Sequence, residues 1–112
     1  MSAAHYKLDK LITIVDRNNV QIDGKTEEVM KLEPLCDKWT SFGWEVLECN
    51  GNDIAALIKA FQKAKAGSEK PKIIIANTKM GCGIPSIEND YSWHGKAPND
   101  EELIDFLNQL QS

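Results

Sequence analysis

The stretch KIIIANT, residues 72–78, constrains this chain more than any other. Its apolar residues, Ile73 to Ala76, run without a break. A strand with one wet face alternates apolar and polar residues, so an unbroken run belongs to a strand covered on both faces. Two other segments can lie beside it. KLITIV, residues 10–15, is short, β-branched and bounded by charges, and WEVLEC, residues 44–49, alternates well enough for a strand. Helical segments separate them. Pro34 suits a first turn, with Leu35, Trp39 and Phe42 at helical spacing and Gly43 as a stop. Asp53 ends the turn NGND and can cap IAALIKAFQKAKA, whose expected apolar stripe is Ile54, Leu57, Ile58 and Phe61. GSEKP breaks that helix, and Asn99 or Asp100 can cap a last one, EELIDFLNQL. SAAHYKLDK has helical character without a start signal, and Lys79 to Pro98 shows no period. The order β-α-β-α-β-α with right-handed crossovers predicts an α/β fold: three layers, a mostly parallel sheet and helices on both faces, as one domain over residues 1–112.

Charge and cysteine content narrow the partners. The formal net charge is −4, the pI is near 5.1, and the 13 basic residues are scattered, so neither a nucleic-acid footprint nor an anionic membrane surface is expected. Cys36, Cys49 and Cys82 lie far apart and leave one odd, which fits a reducing compartment better than a disulfide framework. No apolar run approaches the ~20 residues of a membrane span, and the first ten residues lack the apolar core of a signal peptide. The expected location is cytoplasmic.

In open parallel sheets ligands sit beyond the carboxyl ends of the strands. Two segments leave such ends. DRNNVQIDG, residues 16–24, offers hard oxygen donors of the kind that bind magnesium beside a diphosphate, and its Asn, Asp and Gly residues equally suit a plain polar turn. KMGCGIPSIENDYSWHG, residues 79–95, holds Gly81 and Gly83, which permit close approach of main chain to a phosphate, and His94, which can donate a hydrogen bond or move a proton. A lone Gly-x-Gly lacks the rest of a dinucleotide fingerprint, and a loop histidine also serves as a structural hydrogen-bonder. Cys82 has no base beside it in sequence.

Taken together, KLDKLITIVDRNNVQIDG, FGWEVLECNGND, AALIKAFQKAKA and IIIANTKMGCG followed by SWHGKAPND resemble, in order, the thiamine-diphosphate domain of transketolases. The resemblance implies a partial thiamine-diphosphate-binding fold with thiamine diphosphate and magnesium as cofactors. It implies that Asn18 and the Val20 carbonyl are metal ligands, and that Gly81, Gly83, Ile22 and His94 border the cofactor. His94 would also be catalytic, near the diphosphate and the hydroxyls of the reacting sugar. Met80 stands where many members carry a basic residue and others an apolar one.

In that family a GDG element upstream supplies an aspartate ligand, and a separate pyrimidine-binding domain supplies the glutamate that activates the cofactor. Neither is found in these 112 residues. The chain is therefore expected to be a truncated cofactor domain, part of an enzyme that transfers a two-carbon ketol unit between sugar phosphates. Complementary polypeptides, the GDG half and the pyrimidine domain, would complete it. Alone it would neither bind cofactor tightly nor turn over. The alternatives are a non-catalytic remnant acting as an oligomerising module and a fragment of another thiamine-diphosphate enzyme. In the remnant reading, loss of the upstream strands would uncover a sheet edge and an apolar face, which predicts a homo-oligomer.

Overall fold

A computed structural model describes residues 1–111. Its elements are α1 (Ser2–His5), β1 (Ile12–Arg17), β2 (Val20–Gln21), β3 (Gly24–Lys25), α2 (Thr26–Val29), α3 (Leu35–Ser41), β4 (Glu45–Asn50), α4 (Ile54–Ala66), β5 (Lys72–Asn77), a 3₁₀ turn (Tyr91–Trp93) and α5 (Asp100–Leu110). The chain divides into two compact units. One comprises Met1–Arg17 and Leu32–Thr78, the other Asn18–Lys31 and the segment from Lys79 onward.

The first unit is the predicted parallel sheet. Its order is β1-β5-β4, with Ile14, Ile74 and Leu47 in register across it. The unbroken run of β5 occupies the centre, where Ile73 and Ile74 are fully buried and Ile75 nearly so. On one face Ala60 and Ala64 of α4 pack with Leu47 and Ile74; on the other Ile73, Ile75 and Trp44 pack with Ala3 and Ala4 of α1 and with Leu35, Cys36 and Trp39 of α3. The sheet is thus covered by helices on both faces. Asp53 caps α4 as expected, accepting from the Ala55 and Ala56 N–H groups.

The face of α4 differs from the expected stripe. Ile54 and Ile58 are exposed, and the residues turned inward are Leu57, Ala60, Phe61 and Ala64. The same period holds at a different phase, because small side chains let the helix lie close to the sheet. Phe42 is also exposed, since it follows the last turn of α3. β1 begins two residues later than KLITIV and runs through Asp16 to a buried Arg17. α1 stops at His5, and turns lead from it into β1.

The second unit holds the β2–β3 hairpin, α2, the 3₁₀ turn and α5. The hairpin went unpredicted because two-residue strands carry no period. Asn99, not Asp100, caps α5, and it forms a full capping box with Glu102. Gln109 of α5 accepts from the Ser86 N–H at 3.1 Å and donates to its hydroxyl at 2.9 Å, fixing the loop before the 3₁₀ turn. Among the described residues no helix is long and apolar enough to cross a membrane.

Candidate cofactor site

All six residues singled out by sequence, Asn18, Val20, Ile22, Gly81, Gly83 and His94, fall in the second unit. Its two segments are the continuations of β1 and β5 past their carboxyl ends.

The first segment leaves β1 through an Asx turn. The Asn18 side-chain oxygen accepts the Val20 N–H at 3.1 Å, and Asn19 takes a left-handed conformation (φ 65°). The Asn19 carbonyl accepts from the Thr26 N–H at 3.0 Å, closing the hairpin. Val20 is buried, which anchors the turn, while Ile22 at the hairpin tip is exposed. Asn18 and Val20 therefore present a neutral amide oxygen and a main-chain carbonyl two residues apart on an ordered turn. Among the described residues no group of three or more His, Cys, Asp or Glu side chains is arranged to hold a metal ion.

The second segment is a tight glycine loop. Gly81 and Gly83 have φ of 68° and 95°, so side chains there would be strained. A Cβ on Gly81 would also meet the Ile87 carbonyl at 3.0 Å. The loop closes through Ile84 N–H to Gly81 carbonyl (3.0 Å) and Asn89 N–H to Met80 carbonyl (2.9 Å). Glu88 lies across it, accepting from the Gly83 N–H at 3.3 Å and from the Lys79 ammonium at 2.7 Å. Lys79 first and the Gly83 N–H second hold the Glu88 carboxyl below its ordinary value of 4.5.

His94 follows the 3₁₀ turn, its N–H bonded to the Tyr91 carbonyl at 3.0 Å, and its side chain is exposed. The loop around it is fixed by its neighbours. Trp93 meets the buried Phe106 edge-on at 5.1 Å, and the Lys96 ammonium sits 3.8 Å from the Trp93 ring centroid while pairing with Glu102 at 3.0 Å. The Asp90 side chain caps the turn at Ser92 N–H. Reading the sequence missed these supports and Glu88. The one signal available was Asn99 followed three residues later by Glu102, which marks where α5 starts and hence what Lys96 can reach.

A parallel sheet covered by helices on both faces defines an α/β protein. Its relatives say which. The profile of the transketolase thiamine diphosphate binding domain matches residues 1–110. The chain belongs to the transketolase family. It is 43% identical over 110 residues to an apulose-4-phosphate transketolase subunit of Phocaeicola vulgatus, covering 98% of this chain and 39% of that protein. It is 39% identical over 101 residues to a 6-deoxy-6-sulfo-D-fructose transketolase subunit from a Clostridium species, covering 90% of this chain and 37% of that one. The solved transketolase of Campylobacter jejuni superimposes with a TM-score of 0.87 at 33% identity, over 98% of this chain and 17% of the other. The chain thus spans about two fifths of the length of these curated relatives.

Proposed function

We propose that this chain supplies one part of the thiamine-diphosphate site of a transketolase-like enzyme that moves a two-carbon ketol unit between sugar phosphates. The Asx turn at Asn18 carries this reading, because it holds an amide oxygen and the Val20 main chain in fixed relation at the end of a parallel strand. Two neutral oxygens suit the protein side of a magnesium shell when a diphosphate brings the charge. Without an anionic protein ligand they hold the ion weakly. A carboxylate from a complementary polypeptide, the GDG half, would complete the shell, and a pyrimidine-domain polypeptide would activate the cofactor. The relatives' designation as subunits agrees with such division.

Bound cofactor supplies the nucleophile and the electron sink. The chain's own groups then position and move protons. Ile22 offers an exposed apolar side chain to a ring, Gly81 and Gly83 keep the loop in a shape other residues would strain, and His94 hydrogen-bonds or exchanges a proton with a sugar hydroxyl. We read the 112 residues as one domain of that enzyme, acting in the cytoplasm, where its three free cysteines stay reduced.

Calorimetric titration of thiamine diphosphate with magnesium tests this, using the chain alone and then with the GDG and pyrimidine polypeptides. Binding only on mixing, followed by ketol transfer, is the expected result. Micromolar affinity of the chain alone would overturn the dependence on partners. Failure of every mixture would favour a second reading, a non-catalytic oligomerising module, which the exposed Leu103, Ile104, Leu107 and Leu110 of α5 support.

A further inference from the structure

Asn50 is the one asparagine of this chain that a glycine follows, in CNGND at residues 49–53. Asparagine is a thermolabile residue, and it is most labile before glycine, where no side chain hinders the next main-chain nitrogen. That nitrogen attacks the asparagine Cγ. A C–N bond closes a five-membered succinimide, and the side-chain nitrogen leaves as ammonia. Water then opens the ring at one carbonyl or the other, giving aspartate or an isoaspartate whose main chain is one carbon longer. No oxidant or cofactor takes part.

The fold requires this glycine and at the same time restrains the reaction. A Cβ at position 51 would lie 2.5 Å from Thr78 Cγ2 and 2.9 Å from the Ala76 Cβ, so only glycine fits there against β5. The Gly51 N–H donates to the Asn77 carbonyl at 2.7 Å, which engages the nitrogen that would attack. Asn50 is the last residue of β4 and lies in register with Asn77. Ring closure must eclipse the Asn50 Cβ with the Gly51 nitrogen about the Cα–C bond, and the extended ψ of a strand holds the two apart. The Asn50 side chain is engaged as well, its Oδ1 accepting the Asn52 N–H at 3.0 Å. Asn50 is exposed, so main-chain geometry and not access of water sets the restraint.

We infer that Asn50–Gly51 is a modification site gated by β4, silent while the strand end is paired with β5 and converted to isoaspartate when that end opens. The conversion is one-way. An extra main-chain carbon at position 50 carries the Gly51 N–H away from the Asn77 carbonyl and drives position 51 against Thr78 and Ala76, where there is no room. The bond from Asn77 Nδ2 to Glu48 at 2.8 Å, which ties the same two strands, is lost with it. A transient opening thereby becomes a permanent mark on the chain. The site lies wholly in the first unit and stands independently of the cofactor reading.

Peptide mapping by mass spectrometry tests this after incubation at mildly alkaline pH, with the chain either folded or unfolded in guanidinium chloride. Conversion at Asn50 should be roughly tenfold or more slower in the folded chain, since only its open fraction reacts. Leu47→Ala loosens β4 against Ala60, Ala64 and Ile74, so it should speed conversion by the same factor as it speeds hydrogen exchange at the Gly51 amide. If that variant does not fold, guanidinium chloride below the unfolding transition serves in its place. Chain carrying isoaspartate at position 50 should fail to regain native circular dichroism on refolding, whereas Asn50→Asp, which keeps the side-chain acceptor and the main-chain length, should refold. Equal conversion in folded and unfolded chain would overturn the inference, as would faster Gly51 exchange without faster conversion. Refolding of the isoaspartyl chain as complete as that of Asn50→Asp would overturn its one-way character.

Discussion

Arg17 ends β1 with its side chain 5% exposed, and its guanidinium meets Glu33 through Nε at 3.3 Å and Nη2 at 3.0 Å. The other Glu33 oxygen accepts the Leu35 N–H at 2.8 Å, at the start of α3. The Leu35 N–H first and Arg17 second hold the Glu33 carboxyl below its ordinary value of 4.5. A carboxyl depressed in the folded state adds stability above its unfolded value, and that increment is lost as pH falls through the folded value. Glu33→Gln should therefore cost about 1–2 kcal/mol at pH 7, half-exposure of the carboxylate keeping it below a fully buried pair. It should cost much less at pH 3, which urea unfolding at the two pH values would show. An equal loss at both would mean that packing, not charge, links the two residues. At Asn18, loss of the Asx acceptor in Asn18→Ala should cost about 1 kcal/mol, whereas Asn18→Asp keeps the acceptor and the stability. Of these features, Asn18 was legible, because the Asn-rich stretch after a strand demands either a turn or a ligand. The Arg17–Glu33 pair was not, since only the fold brings the two residues within reach.

Helices were easier to locate in the sequence than to orient. The period of α4 and its Asp53 cap were plain, yet its rotation was not, because spacing weighs a leucine above an alanine and the sheet favours the smaller residue. Ala64, 2% exposed among Leu47, Ala60 and Ile74, should tolerate no enlargement. Ala64→Leu is expected to destabilise by about 1–3 kcal/mol. Ile54→Gln, at an exposed position, should stay within about 0.5 kcal/mol. Chemical denaturation of the two variants separates the observed face from the expected one, and a reversed order would restore the original stripe. In the second unit, Asn99→Ala removes one half of the capping box and should cost about 1 kcal/mol. Broadening of the His94 loop resonances is also expected, since the Glu102 of that capping box pairs with the Lys96 ammonium that lies over Trp93.

Across the whole chain, the parallel sheet could be read from KIIIANT and its two companions, whereas of the second unit only α5 could. Its order comes from side chains gripping loops: Glu88 on Gly83, Gln109 on Ser86 and Phe106 on Trp93. Such contacts leave no periodic trace. Amide hydrogen exchange should follow the same division. Ile73 to Ala76, bonded on both sides in the buried centre of the sheet, should exchange slowest, and the amides of residues 79–98 fastest. Uniform protection across both would contradict it.

The strand order has a consequence for how the protein is made. Both flanking strands leave the ribosome before the one that lies between them, since Ile12 and Glu45 each find Lys72 as partner. A nascent chain halted before β5 holds β1 and β4 without the strand that joins them, and the pairing sides they turn toward β5 stay open until translation passes Asn77. The length of that exposure is set by elongation rate, so slow codons ahead of Lys72 would prolong the hazard.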